Sequence, residues 1–380
     1  MSIKHGFSRF LGAAPERLHF AAHSHHPWPD VSYEAQIRVW EDAARFADDK
    51  WEHVFGTVMP RLRERIASVI GAETGDGIVF ATNTHELLVR LFSCLEPPVR
   101  VLSTSSEFHS FTRQSRRWEE EGLAIVDRVD TEPFETFAER FTAEARSGAH
   151  DLIFLSQVFF DSGFVVPDID RIVSSVSEQR AFVVVDGYHA FMAMPVDVGA
   201  IQDRAFFIAG GYKYAMSGEG ACFMHCPPDY GQRPVDTGWY AGFGQLESGV
   251  GEHIAYGSDG SRFAGATFDP SGLYRMEAVL GWLEGEGVGP GEIHGHVGAL
   301  QKQFLAGLGH EAKLVPPAGV ARGNFLTFES ADAAGAYRKL HERGVITDYR
   351  GDRLRIGFGM YHDEGDVARL TDTVQELGAL

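Results

Sequence analysis

The sequence contains few cysteines, and their arrangement excludes two common uses of this residue. Cys94, Cys222 and Cys226 are the three cysteines in a chain of 380 residues. An odd number so widely spaced does not form a disulfide framework, and Cys222 with Cys226 lacks the second pair that a zinc ribbon needs. We therefore expect reduced thiols in or near the core.

Basic residues and long apolar runs are also scarce. Lys and Arg number 34 against 53 Asp and Glu, which gives a formal net charge of -19. Binding to nucleic acid or to an anionic membrane relies on clustered basic residues, so neither partner is expected. No run approaches the ~18 apolar residues of a membrane helix, and residues 1–12 lack the apolar core of a secretory signal. We expect a soluble cytoplasmic enzyme with small-molecule partners.

Two apolar runs each lead to side chains that can take part in catalysis. Residues 181–185 lead directly into Asp186, and residues 205–209 lead through two glycines to Tyr212 and Lys213. Such runs are typical of strands buried on both faces of a parallel sheet, which deliver their next residues to one edge. Either residue alone would more often be a solvated loop residue. Together, an acid and a lysine suit pyridoxal phosphate, because the lysine forms a Schiff base and the acid keeps the ring nitrogen protonated.

The spacing around these residues resembles a known family. Asp-x-x-His at 186–189, Gly-Tyr-Lys-Tyr at 211–214, and Gly218 with Gly220 are similar to fold-type I enzymes of the class V aminotransferase group, most closely kynureninases. The resemblance implies pyridoxal 5'-phosphate as cofactor and an α/β fold of the PLP-dependent transferase type. It also implies a large domain with a mainly parallel central sheet, a small C-terminal α/β domain, and a homodimer with its sites at the interface.

Helical and strand-like patterns alternate along the chain, as this fold requires. Helices are predicted at 31–46, 58–70, 82–94, 135–146, 169–179, 270–284, 290–308 and 331–343. Strands are predicted at 77–81, 100–103, 123–126, 151–155, 181–185, 205–209, 324–328, 345–347 and 353–359. A Gly-Pro-rich segment at 288–292 is the predicted hinge. We assign 16–284 to a large PLP-binding domain, and 1–15 with 285–380 to a small domain.

A phosphate site is predicted where strand 77–81 turns into the next helix. Free backbone N–H groups and the positive end of the helix dipole favour an anion there. Asn83 and Thr84 are the expected contacts, although an ordinary helix cap would look the same.

The resemblance assigns further cofactor residues. His189 would bind the phenolic oxygen or the phosphate, unless it merely packs beneath the loop. Phe108 would stack on the ring, with His109 as second choice and a core phenylalanine as the alternative. Tyr212 would contact the phosphate and help to move protons, and Thr267 would cross the dimer interface to the partner's phosphate.

Substrate residues follow from the same resemblance. Arg355 matches the family's carboxylate-binding arginine, whose planar fork makes two parallel hydrogen bonds. Arg353 and Arg350 are weaker choices. Ser24, in a turn that lines the substrate pocket in kynureninases, and Trp239, in a Gly-Trp segment, complete the predicted substrate site.

The implied chemistry begins when an amino acid displaces Lys213 from its Schiff base. Lys213 then removes the α-proton, and the ring paired with Asp186 stores the charge. Two reactions remain open after this step, namely kynureninase-like hydrolysis of a Cβ–Cγ bond and transamination. Residues 330–355 contain no cysteine, so a desulfurase, which needs a thiol nucleophile, is not expected.

Two alternatives use other chemistry. A metal-dependent hydrolase would use His23, His25 and His26 with an acid such as Asp30, and would be indifferent to Lys213→Ala. A non-catalytic PLP-binding protein is the second alternative, although no DNA-binding module accompanies the domain.

Overall fold

The computed structural model describes residues 2–248, 253–309 and 312–380. The strands are β1 (Leu18–His19), β2 (Ile78–Ala81), β3 (Val99–Thr104), β4 (Ala124–Val129), β5 (Leu152–Ser156), β6 (Phe182–Asp186), β7 (Ala205–Gly210), β8 (Cys222–His225), β9 (Leu314–Val315), β10 (Phe325–Glu329), β11 (Val345–Ile346), β12 (Asp348–Arg350) and β13 (Arg353–Gly357). The α-helices are α1 (Ser8–Ala13), α2 (Asp30–Phe46), α3 (Lys50–His53), α4 (Met59–Ile70), α5 (Thr84–Phe92), α6 (His109–Glu120), α7 (Phe134–Ala145), α8 (Ile169–Ser175), α9 (Ser271–Gly285), α10 (Pro290–Gly307), α11 (Ala333–Glu342) and α12 (Glu364–Leu377).

A seven-stranded sheet forms the centre of the described molecule, in the order β2-β8-β7-β6-β5-β3-β4. The neighbours from β7 to β4 pair in parallel, whereas β8 is antiparallel to both β2 and β7. This mainly parallel α/β architecture confirms the predicted fold class.

Side-chain alternation along β6 shows why helices cover both faces of this sheet. Val183 and Val185 join a core cluster that includes residues of α4, α7 and α9, while Phe182 and Val184 join a cluster with α5 and α6. Strands buried on both faces read as continuous apolar runs, which is why the sequence pattern was informative here.

The C-terminal part forms a second, smaller sheet in the order β12-β13-β10-β9, with antiparallel neighbours. Apolar residues of α10, α11 and α12 pack against it in a third cluster. Leu18 and Phe20 belong to that cluster, and β1 pairs with β11 in parallel. The range 16–284 for the large domain stays a prediction. The first residues of that range pack against the C-terminal part of the chain.

Some predicted elements differ from the structure. The helix predicted at 169–179 ends at Ser175, because Val176 is extended with φ -64° and ψ 112°. Helix α6 and strand β8 were not predicted. No described helix combines the length and the apolarity needed to cross a membrane.

Candidate active site

The two central strands place an acid and a lysine at one edge of the sheet. Asp186, the last residue of β6, lies beside Ile208 of β7, and Lys213 follows β7 by three positions. The Lys213 side chain is buried, and its Nζ lies 2.8 Å from Nε2 of His189. Burial lowers the pKa of Lys213 to about 7, although the nearby Asp186 opposes this change. The amine is therefore substantially neutral near pH 7.

Among the described residues, no Lys or Arg forms a salt bridge with Asp186, although the charge of Lys213 lowers the pKa of its carboxyl. The backbone N–H of Tyr188 donates to its Oδ1 at 2.9 Å. Burial raises the pKa of the Asp186 carboxyl, and that hydrogen bond only partly offsets the effect. A cationic ring nitrogen placed against this carboxylate would supply the missing charge.

A cavity of about 420 Å³ joins these groups. It brings together seven residues predicted for the site: Asn83, Thr84, Phe108, Asp186, His189, Tyr212 and Lys213. A lysine, an acid, an aromatic face and a helix N-terminus around one cavity are the features that pyridoxal phosphate requires, so the residues present fit this cofactor.

The start of α5 forms one wall of the cavity. Asn83 is its N-cap residue, and the side-chain oxygen accepts a hydrogen bond from the backbone N–H of Glu86 at 2.9 Å. The Asn83 amide also donates to Glu86 Oε1 at 3.0 Å. Both ends of this side chain are thus used locally, as the capping alternative predicted. Its phosphate contact stays a prediction.

Aromatic rings surround the lysine amine. Lys213 Nζ lies 5.4 Å from the ring centroid of Phe108, 4.9 Å from that of Tyr188 and 5.6 Å from that of Tyr212. Phe108 is half-buried and lines the cavity. His109 lies outside the cavity lining and packs on Phe160, with ring centroids 5.0 Å apart. This placement favours Phe108 over His109 as the stacking residue.

Comparison with known proteins places the chain in a family. Residues 43–348 match the family described as Aminotransferase class-V. The chain belongs to the class V aminotransferase family. Its predicted cofactor, pyridoxal 5'-phosphate, is confirmed with this membership and with the fit of the cavity.

Individual relatives of this class V chain have different activities. It is 25% identical to a kynureninase of Pseudomonas fluorescens over 376 residues, covering 90% of this chain and 81% of the relative. A cysteine desulfurase from Thermococcus onnurineus NA1 superposes with a TM-score of 0.81 at 17% identity, covering 99% of this chain and 98% of that one. A cysteine desulfurase from Escherichia coli gives 0.78 at 16%, covering 96% and 95%. At such identities the two structures support the fold alone.

Several predicted residues of this class V chain lie outside the cavity lining. Trp239 Nε1 donates to Thr267 Oγ1 at 2.9 Å, and both side chains are exposed. Ser24 Oγ lies 3.2 Å from Nδ1 of the exposed His25. Their roles stay predictions.

Arg355 is buried behind the cavity and is 3% exposed. Its guanidinium donates to the Phe160 carbonyl and to the Asp348 carboxylate. Arg350 donates to the other oxygen of Asp348 at 2.5 Å, and Arg353 pairs with Glu132 at 2.7 Å. Of the three predicted arginines, Arg355 is the one whose charge affects the pKa of Lys213.

The three histidines of the N-terminal turn do not converge. His23 stacks on Phe325, His25 stacks on Tyr212, and His26 Nδ1 bonds to the Pro27 carbonyl at 2.8 Å. Among the described residues, no group of three or more His, Cys, Asp or Glu side chains is placed to hold a metal ion. The metal-hydrolase alternative therefore has no structural support in this part of the chain.

The cavity also has lining residues that the sequence analysis did not assign to the site, namely Thr82, His85, Ser110, Ser156, Tyr188 and Glu219. Ser156 ends β5 and is the register partner of Asp186, so the rule of strand ends could have identified it. Ser110 and Glu219 could not be identified in this way, because Ser110 lies at the start of a helix and Glu219 in a loop, and neither follows an apolar strand.

Proposed function

We propose that this class V chain is a PLP-dependent enzyme that acts on an amino acid, by kynureninase-like hydrolysis of a Cβ–Cγ bond. The observation that carries the proposal is the buried Lys213 amine, 2.8 Å from His189 and beside Asp186, with its pKa lowered to about 7. The similarity to the kynureninase of Pseudomonas fluorescens, which covers 90% of this chain, supports hydrolysis as the reaction.

Lys213 would both hold the cofactor and move the α-proton. A neutral amine can attack an aldehyde and can accept a proton, and because burial lowers the pKa of Lys213 to about 7, about half of the amine is neutral at pH 7. The bound cofactor supplies an electron sink for the charge left on the α-carbon. Asp186 would hold the positive charge at the ring nitrogen, since its buried carboxylate is stabilised by a close cation.

Two further groups would handle protons beside Lys213. Burial raises the pKa of Tyr212 to about 12, so its phenol keeps a proton that it can donate. Burial lowers the pKa of His189 well below the ordinary range, so this imidazole stays neutral. Both ring nitrogens of His189 lie within hydrogen-bond distance of Lys213 Nζ, Nδ1 at 3.2 Å and Nε2 at 2.8 Å.

Cysteine chemistry is disfavoured in spite of the desulfurase-like fold. Cys222 lines the cavity, but it is buried and burial raises its pKa to about 12. Burial also raises the pKa values of Cys94 and Cys226 to about 12. Because the thiolate is the nucleophile, these thiols are poorly suited to accept sulfur from a substrate.

The remaining attributes belong to the same proposal. We propose a homodimer, a cytoplasmic location, and phosphate or ring contacts from Asn83, Thr84, Phe108, His189 and the partner's Thr267. Ser24 and Trp239 are proposed to line the substrate site. The hinge at 288–292 and the large domain at 16–284 are part of this arrangement.

The test is the visible absorption spectrum of the purified protein with and without L-kynurenine, beside Lys213→Ala. We expect a band of lysine-bound cofactor that Lys213→Ala loses, and release of anthranilate. Release of a keto acid without anthranilate would identify the reaction as transamination, the second possibility. A band that no amino acid alters would indicate a non-catalytic PLP-binding protein, and no band after addition of the cofactor would overturn the proposal.

A further inference from the structure

A second cavity lies near the cofactor cavity and shares no lining residue with it. Its volume is about 590 Å³, and it is formed by residues of α1, by the turn at 25–29 and by the first residues of α2. Cavities of this size hold small organic ligands. The proposed reaction does not use it, and what it can bind follows from its lining.

Aromatic side chains form the walls of this second cavity. Phe10, Trp28 and Tyr33 line it, and Trp28 is 43% and Tyr33 47% exposed. Pro27 and Pro29, the neighbours of the indole in sequence, also line it and are buried. Exposed aromatic surface gathered at one concave place is typical of a ligand site. Flat walls of this kind favour a planar aromatic ligand.

Arg17 is a cation of the lining that lacks an acidic partner. Its Cζ lies 4.1 Å from the ring centroid of Phe10, and Nη2 donates to the Phe10 carbonyl at 3.1 Å. The Nε atom is buried and has no hydrogen-bond partner among the described residues, and no acid there forms a salt bridge with this guanidinium. A guanidinium stacked on a ring still presents its N–H edge to a carboxylate. Arg17 therefore suits an anionic ligand.

The charges of the lining also favour an anion. Arg9 is the second guanidinium, with its Cζ 3.9 Å from the ring centroid of Tyr33. Asp30 is the one carboxylate among the described lining residues, and its two oxygens accept the backbone N–H groups of Ser8 and Arg9, each at 3.0 Å. Two cations thus face one acid whose oxygens are already engaged. Glu34 lies 3.5 Å from Arg9, but both side chains are exposed, so this pair contributes little.

The turn at 25–29 separates the second cavity from the residues around Lys213. His25 lines the second cavity, and its ring stacks on Tyr212 with centroids 5.3 Å apart and planes at 26°. The backbone N–H of His26 donates to the Tyr212 carbonyl at 3.0 Å. Tyr212 lines the cofactor cavity and directly precedes Lys213. A ligand that moves this turn therefore also moves a wall of the cofactor cavity.

We propose that the second cavity binds a planar aromatic carboxylate, with its ring against Trp28 and Tyr33 and its carboxylate on Arg17. Its binding is coupled to the cofactor cavity through the contact of His25 with Tyr212. The aromatic acid that the proposed hydrolysis releases belongs to this chemical class, and that link alone rests on the proposed function. The site itself rests on the lining of the cavity, whichever reaction the cofactor supports.

Benzoate is the probe, because it joins one aromatic ring to one carboxylate, and benzamide is its uncharged counterpart. Both are titrated into the PLP-loaded protein by calorimetry. The wild type should bind benzoate at least about tenfold more tightly than benzamide, because only benzoate forms an ion pair with Arg17. Arg17→Gln should weaken benzoate about tenfold and benzamide less than about threefold. Trp28→Leu should weaken both, because each loses an aromatic wall.

Trp40→Leu is the matched control for Trp28→Leu, since Trp40 is also exposed but lies outside the cavity lining. It should leave the affinity for benzoate unchanged. If Phe108→Leu abolishes benzoate binding and Arg17→Gln does not alter it, benzoate binds in the cofactor cavity and the inference is wrong. Absence of benzoate binding would overturn it as well. So would a wild-type dimer that dissociates in both tryptophan variants, because the exposed rings would then form an interface between copies.

The coupling has a separate readout. Saturating benzoate should shift the visible band of the PLP-loaded protein, because the ligand acts on Tyr212 through His25. His25→Ala should bind benzoate within about threefold of the wild type and lose this shift, since it removes the ring that stacks on Tyr212. A shift that persists in His25→Ala would overturn the coupling. Normal benzoate binding in a protein that releases no anthranilate would contradict the proposed function and support an independent site.

Discussion

At the residue scale, the buried amine of Lys213 has a measurable consequence. Its pKa is lowered to about 7 by burial, whereas an exposed lysine has a pKa of about 10. Only the neutral amine attacks the cofactor aldehyde, so the rate of capture rises with pH through the pKa of Lys213. We expect a midpoint near 7 when the apo-protein is mixed with PLP between about pH 5.5 and 9 and the visible band is followed by stopped flow.

Glu107 provides the control for that assignment, because it also titrates in this range. Burial raises its pKa to about 8, and it bonds to both the backbone N–H and the hydroxyl of Ser156. Glu107→Gln should leave the midpoint near 7. If the midpoint disappears in Glu107→Gln, the titrating group is Glu107 and not Lys213. A midpoint near 10 would show that Lys213 is solvated.

The same scale shows which site residues a sequence can reveal. Asp186 and Lys213 were predictable because each follows a continuous apolar strand, and parallel strands end at one edge. The approach of the N-terminal turn to the small sheet was not predictable. Ala21 bridges to Gly357 in parallel, and these two residues lie at opposite ends of the chain.

At the element scale, Asn83 caps α5, and substitution can separate this role from its proposed contact with the phosphate. As N-cap of α5 it accepts from the Glu86 N–H, so Asn83→Ala should destabilise the apo-protein by about 1 kcal/mol in urea unfolding. Asn83→Asp keeps a capping oxygen and should retain that stability. Its negative charge should nevertheless weaken binding of PLP, because the phosphate would lie against it, while binding of pyridoxal, which lacks the phosphate, should not change.

Asp332 is the matched cap for this comparison. It accepts from the Gly335 N–H at 2.8 Å at the start of α11, in the C-terminal part. Asp332→Ala should lower stability without altering the affinity for PLP. If Asn83→Asp binds PLP as tightly as the wild type, the phosphate does not lie at the start of α5.

Elements were predictable where local pattern and tertiary role agree. Strands β5, β6 and β7 each contain a continuous apolar run and were recognised, whereas β8 has only four residues and follows two glycines. Its strand character depends on pairing with β2 on one side and β7 on the other, which are distant in sequence. Helix α6 begins in a polar segment, and its buried Phe111, Ser115 and Trp118 form a stripe too sparse to be distinctive.

At the scale of the whole molecule, one chain lacks part of the predicted site. Thr267 and Trp239 bond to each other on the surface, outside the cavity of their own chain. The family resemblance predicts that Thr267 serves the partner's phosphate, which requires two copies. We therefore expect a particle of about twice 41.9 kDa by sedimentation, with two interdependent sites.

A hybrid dimer tests this arrangement directly. Lys213→Ala and Thr267→Ala subunits, each with a different affinity tag, are co-expressed and the mixed dimer is isolated. If Thr267 acts across the interface, the site containing Lys213 receives an intact Thr267 from the other subunit. The hybrid should then bind PLP at half the wild-type number of sites with wild-type affinity. The Thr267→Ala homodimer should bind about tenfold more weakly, because one phosphate hydrogen bond is lost. A hybrid as weak as that homodimer would place Thr267 in its own subunit's site. A Thr267→Ala homodimer that binds PLP normally would place Thr267 outside both sites.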